Sequence, residues 1–289
     1  MKKFKIVSLL VLIILLGSCS KDTTEPDVRI DKTLNLKGTG DSANDILSND
    51  TYDKLQIEIA YVSGLRPSAT AISDFTKFLR LHTFKEDIEF IYQELESPNE
   101  ENLTLQEIAD LESENRTAYN NGSTLAVYIY FSDAPAEDDE PEEGLVTLGA
   151  VYRNTSMIIH EATIRRLAAQ SILVSNADVE AATLNHEFGH LFGLVDLGTP
   201  ALSDHEDTAA ENHCNVDGCL MRAELQFTLS GKSILEPKNS TYAANLNPAC
   251  VLSGTTVMSL LQPSKTGRSV EIPGLDAACI EDIQGNGAR

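Results

Sequence analysis

"HEFGHLFGLVD", residues 186–196, decides how the chain is read. On an α-helix His186 and His190 are four residues apart, just over one turn, so both imidazoles leave from one face. Two such nitrogens can share one tetrahedral zinc. Glu187 is rotated by about 100° from His186. There it can reach a zinc-bound water without being a ligand, and accept its proton as a general base. Leu184, Phe188, Leu191 and Phe192 give the helix an apolar side, so the histidines lie at the margin of a core. Gly193 follows three residues after His190, where a residue free to take positive φ ends the helix and turns the chain back towards the metal. Composition alone gives a chance H-E-x-x-H in about one chain in a hundred of this length. The longer pattern with the apolar face and the glycine is rarer, and it identifies a zinc site.

The third ligand does not follow from the spacing. Asp196, His213 and His205 are candidates. Asp196 comes three residues after the glycine, and carboxylates suit zinc. His213 stands in "HCNVDGCLM", residues 213–221, between the helix and a methionine. His205, in "SDHED", is surrounded by carboxylates that would orient an imidazole. Of the remaining histidines, His82 falls on an apolar helix face and His160 on a strand, and both read as packed.

Upstream of the motif, the pattern alternates between strand and helix. "KLQIEIAYVSG" (54–64), "DIEFIYQEL" (87–95), "STLAVYIYF" (123–131), "LVTLGAVYRN" (145–154) and "SMIIHEATI" (156–164) read as strands. "SATAISDFTKFLRLHTF" (68–84), "TLQEIADLESENRTAYN" (104–120) and "SNADVEAATLNHEFGHLFG" (175–193) read as helices. Thr104, and Ser175 or Asn176, are their candidate caps. The order β-α-β-α-β-β-β-α predicts an α+β fold with a twisted, mixed but mostly parallel sheet backed by helices. After Gly193 regular structure is sparse until "LDAACIEDIQ" (275–284), a C-terminal helix.

H-E-x-x-H-x-x-G followed by a methionine in a tight turn resembles the metzincin metalloproteases. The resemblance implies Met221, in "CLM", as the Met-turn beneath the metal. It also implies one catalytic zinc, a protein or peptide substrate, and an edge strand from residues 146–163 that aligns substrate by backbone pairing. Two branches match in different places. Snapalysin-like enzymes have an aspartate ligand at the position of Asp196. Archaemetzincins have a histidine followed directly by C-x-x-x-x-C-x-M, as in His213, Cys214, Cys219 and Met221. Here residues 194–212 separate Gly193 from His213, where the archaemetzincin pattern leaves two. The C-x-x-C that completes a second, structural zinc in that branch is missing, so a Cys214–Cys219 disulfide is the expected replacement.

The ends of the chain speak to its location. "MKKFK" and "IVSLLVLIILL" have the make-up of a signal peptide, and "LGSC" (16–19) resembles a bacterial lipobox. Residues 1–19 are therefore expected to be a leader with Cys19 as lipidation site. Residues 20–51 read as a flexible tether. Residues 52–289 read as the protease domain, divided into 52–193 and 194–289. The expected location is the bacterial cell envelope, on the outer-membrane, periplasmic or surface face, and the chain is expected to act as a monomer. With Cys19 used, Cys214, Cys219, Cys250 and Cys279 allow two disulfides in an exported chain, with Cys250–Cys279 as the second. The net charge of -22 excludes a nucleic-acid binder. "SDAPAEDDEPEEG" (132–144) offers carboxylates to a structural calcium but lacks ordered ligand spacing, so it reads as a solvated loop. The competing functional class is a cell-surface binding lipoprotein that holds a metal without turnover. A zinc peptidase with a helical glutamate as third ligand is disfavoured by Gly193 and "CLM".

Overall fold

The computed structural model describes residues 31–141, 146–170, 174–222 and 272–289, with backbone alone for short strands at 250–253, 262–263 and 270–271. The leader, Cys19, the tether before residue 31 and the Cys250 side chain lie outside the described residues.

Five strands form the frame: β1 (Lys54–Val62), β2 (Asp87–Leu95), β3 (Thr124–Phe131), β4 (Thr147–Arg153) and β5 (Ser156–Ile159). A sixth, β8 (Cys250–Ser253), completes the order β2-β1-β3-β5-β4-β8. β2, β1, β3 and β5 are mutually parallel, β4 is antiparallel to β5, and β8 is antiparallel to β4. The fold is thus a mixed α/β structure with a mostly parallel sheet backed by helices.

Alternation along the strands sorts two cores. Leu55, Ile57, Ile59, Val127, Ile129 and Met157 face α2 (Ala69–His82) and α5 (Asn176–Leu191). Ala60, Val62, Tyr128, Tyr130 and Ile158 face α3 (Leu105–Asn115) on the other side. Thr104 and Ser175 cap as the sequence suggests, and α2 has a further cap, Ser68. Ser68 accepts from the Ala71 N–H, and Thr104 with Glu107 and Ser175 with Asp178 form reciprocal capping boxes.

Three expectations are corrected. "SMIIHEATI" is not one strand: β5 stops at Ile159, His160 stands at the N-cap position without a side-chain cap, and Glu161–Ala168 form α4. The Glu161–Arg165 ion pair at i,i+4, 2.5 Å long, and the inward Ile164 and Ala168 favour helix there. Second, the folded body begins before Tyr52. A 3-10 turn (Lys32–Asn35) and α1 (Ala43–Leu47) pack on the domain, with Ile46 and Leu47 fully buried. Asn35 is held by Asn120, the Ala126 carbonyl and Thr155. The tether is therefore shorter than residues 20–51. Third, the segment after Gly193 carries a hairpin, β6 (Glu206–Asp207) and β7 (Ala210–Cys214). A last helix, α6 (Ala277–Gly285), closes the chain. Its following residue Asn286 donates to the Phe192 carbonyl and to Thr199 Oγ1, tying the C-terminus to the end of α5.

In the acidic loop, Asp139 turns inward and accepts the Thr147 N–H at 2.7 Å.

Candidate metal centre

α5 brings His186 and His190 together as its spacing requires, their Nε2 atoms 3.1 Å apart. Gly193 has φ +84° and ends the helix, its N–H donating to the His190 carbonyl. The reversal aims the Leu194 carbonyl at His190 Nδ1, 3.4 Å away. The hairpin then returns the chain so that β7 delivers His213 over the pair, with ring centroids 5.4 and 5.5 Å from those of His186 and His190. One nitrogen from each of the three lies within 4.8 Å of the others.

All three rings are oriented by backbone. His186 Nδ1 lies 2.8 Å from the Leu220 carbonyl and His213 Nδ1 2.9 Å from that of Glu211. A carbonyl only accepts, so each Nδ1 carries the hydrogen and each Nε2 presents a lone pair. In His186 and His190 these lone pairs face each other at 3.1 Å. A tetrahedral zinc with Zn–N of about 2.0–2.1 Å holds its nitrogens about 3.3–3.4 Å apart, so the opposed lone pairs fit a shared cation. Burial, together with the neighbouring rings, pushes His186 down to about 3 and His190 well below its usual range. Burial likewise lowers His213 to about 4. Neutral imidazoles, the ligating form, are therefore favoured.

Glu187 is fully buried, and neither carboxyl oxygen reaches a partner at hydrogen-bond length. Burial drives its pKa well up, weakly opposed by the nearby Val151 N–H. A cation beside it would favour the charged form instead. Gly149 of β4 makes room for this carboxyl. A Cβ there would lie 2.9 Å from Glu187 Cγ and 3.0 Å from Thr183 Cγ2.

Met221 lies under α5, fully buried, where a Cβ on Gly189 would come 2.3 Å from its Sδ. The turn that carries it is locked to the site. The Met221 carbonyl accepts the Cys214 N–H, and Leu220, one residue earlier, holds His186.

Asp196 is not brought to the histidines. It is exposed, with φ +64°, and its carboxylate accepts the Ala201 N–H at 2.6 Å. His205 belongs elsewhere, 3.2 Å from Asp282 and 3.6 Å from Cys279 Sγ. His82 packs edge-on against Phe78, and His160 faces the Ala134 carbonyl.

A second cluster departs from the expected Cys214–Cys219 and Cys250–Cys279 bridges. Cys214, Cys219 and Cys279 are free thiols, gathered with Asp276 so that one ligand atom of each lies within 4.8 Å of the others. Cys219 and Cys279 have their sulfurs 3.6 Å apart, and Cys214 donates to Asp276 Oδ2. Asp276 caps α6 through its other oxygen. The missed signal is "DAAC" (276–279): an aspartate stands where a C-x-x-C would have its first cysteine. Cys214 is lowered to about 4 by thiol donors, while Cys219 and Cys279 are pushed up beside it.

No protein-family model matches the chain, and comparison with curated proteins finds no match. Among solved structures it is similar to the archaemetzincin from Methanopyrus kandleri, at 14% identity, 81% coverage of this chain, 96% of that one and a TM-score of 0.42. The functional reading rests on the side chains above and not on that likeness.

Proposed function

We propose that the chain is a zinc-dependent endopeptidase, exported and anchored to the bacterial envelope through a lipid on Cys19. The observation that carries the catalytic reading is the convergence of His186, His190 and His213 beside a buried Glu187 that has no protein partner. These histidines would hold the zinc, which when bound supplies Lewis acidity and a water of lowered pKa. Glu187 takes the proton of the attacking water and returns it to the leaving amine. The Leu220, Glu211 and Leu194 carbonyls keep the ligands in register, and Met221 floors the site. β4 passes directly beside Glu187 at Gly149, so a peptide paired to its outer side is led past the base. Cys214, Cys219, Asp276 and Cys279 would hold a second, structural zinc, since thiolate and carboxylate donors suit it.

The test is Glu187→Ala, assayed on a peptide library with bound zinc counted in the same samples. Cleavage should fall by about 10²–10⁴-fold with zinc retained. Cleavage equal to the parent rejects Glu187 as the base. Stoichiometric zinc with no cleavage by parent or variant, even with the site opened, favours the binding lipoprotein. The anchor is tested separately: Cys19→Ala should move the protein from the membrane to the soluble fraction.

A further inference from the structure

The reacting groups are closed off. His186, Glu187 and His190 have no exposed surface, and His213 is 5% exposed. A peptidase needs an extended peptide beside its base, and the sheet edge that could seat one here is the outer side of β4. That side is already paired. β8 runs antiparallel along it, with Cys250 opposite Val151, Val251 opposite Ala150, Leu252 opposite Gly149 and Ser253 opposite Thr147. It also lies against α5. Leu252 is thus paired with the glycine whose missing Cβ admits Glu187. Strand addition works through main-chain hydrogen bonds and leaves one continuous ladder, so the two occupants of that edge are mutually exclusive.

We propose that β8 is a built-in occupant of the peptide-binding edge and keeps the site latent until it is displaced. The inference rests on the peptidase reading for its meaning, but not for its test. A strand of four residues is short, but it belongs to the same chain as the edge it pairs with. A tethered competitor acts at an effective concentration of roughly millimolar order, so only peptides that bind well, or displacement of β8 by other means, would open the edge.

In an antiparallel ladder successive residues point their N–H groups to opposite sides. Of Val251 and Leu252, one therefore faces β4 and the other does not. Proline removes an N–H, so Val251→Pro and Leu252→Pro form a matched pair in which one breaks the ladder. Zinc-loaded parent and both variants are compared by amide exchange at residues 147–151, by affinity for a peptidyl hydroxamate and by peptide cleavage. Circular dichroism checks the fold of each. One variant should show faster exchange and about tenfold tighter hydroxamate binding, with the other close to the parent. Equal exchange and equal affinity in all three overturns the proposal. Tighter hydroxamate binding without cleavage upholds the latency device and removes the peptidase reading. Should both variants misfold, the parent decides alone. Saturating peptidyl hydroxamate should speed amide exchange at residues 250–253, and unchanged exchange there overturns the proposal.

Discussion

His160 shows what burial does to an imidazole in this chain without any metal. It is 2% exposed, with Nδ1 held by the Ala134 carbonyl, and burial lowers its pKa to about 4. The unfolded chain takes up a proton near pH 6.5 and the folded chain does so only near pH 4, so stability falls as pH falls through that window. His160→Gln should flatten the slope of stability against pH between 6.5 and 4 by up to about 1.4 kcal/mol per pH unit. Urea unfolding at several pH values reads it, and an unchanged slope would show that His160 is not held neutral. The same burial at His186, His190 and His213 favours the neutral ring, the form that ligation would need. His186, Glu187 and His190 were legible because a helix fixes i and i+4. Spacing left three choices for the third ligand, because a long loop separates His213 from the helix and only the hairpin shows where its ring arrives.

At the scale of the element, the contact between α5 and the turn at Met221 depends on Gly189. Alanine there would gain about 1 kcal/mol of helix propensity. Its Cβ would also fall 2.3 Å from Met221 Sδ, with Met221 fully buried and Leu194 Cδ1 closing the other side at 3.5 Å. Overpacking of about 1–3 kcal/mol should win. Gly189→Ala is therefore expected to destabilise the parent, yet to be neutral or stabilising in a Met221→Ala background, as a double-mutant cycle by denaturant unfolding would show. Equal effects in both backgrounds would contradict the packing. Helices with clear caps and apolar faces, such as α3 and α5, could be read directly. α4 could not, because it follows the apolar run of β5 directly and its helical signals are only the Glu161–Arg165 pair and the Ile164 and Ala168 spacing. The N-terminal segment escaped because Asn35 is fixed by distant polar partners, which hydrophobic periodicity does not register.

Over the whole molecule, three separated pieces of sequence meet around the end of α5. Gly193 lies against Ala43 of α1 and Asn286 beyond α6, and the Leu220 N–H is held by the Gly274 carbonyl. The sheet supplies the surroundings of Glu187 through β4, and the C-terminal half supplies His213, Met221 and the thiol cluster. The mostly parallel sheet and its backing helices followed from alternation and helix spacing, whereas the strand order β2-β1-β3-β5-β4-β8 did not. The thiol cluster did not, because Asp276 and Cys279 come from the start of a helix far along the chain, and the group mixes thiols with a carboxylate.

The central claim is that His213, and not Asp196, completes the centre begun by His186 and His190. Native mass spectrometry of zinc-loaded, dialysed protein counts the bound ions directly. The parent should carry two zinc ions, Cys279→Ser one, His213→Ala one, and Asp196→Ala two. Loss of an ion in Asp196→Ala with full occupancy in His213→Ala would contradict the account.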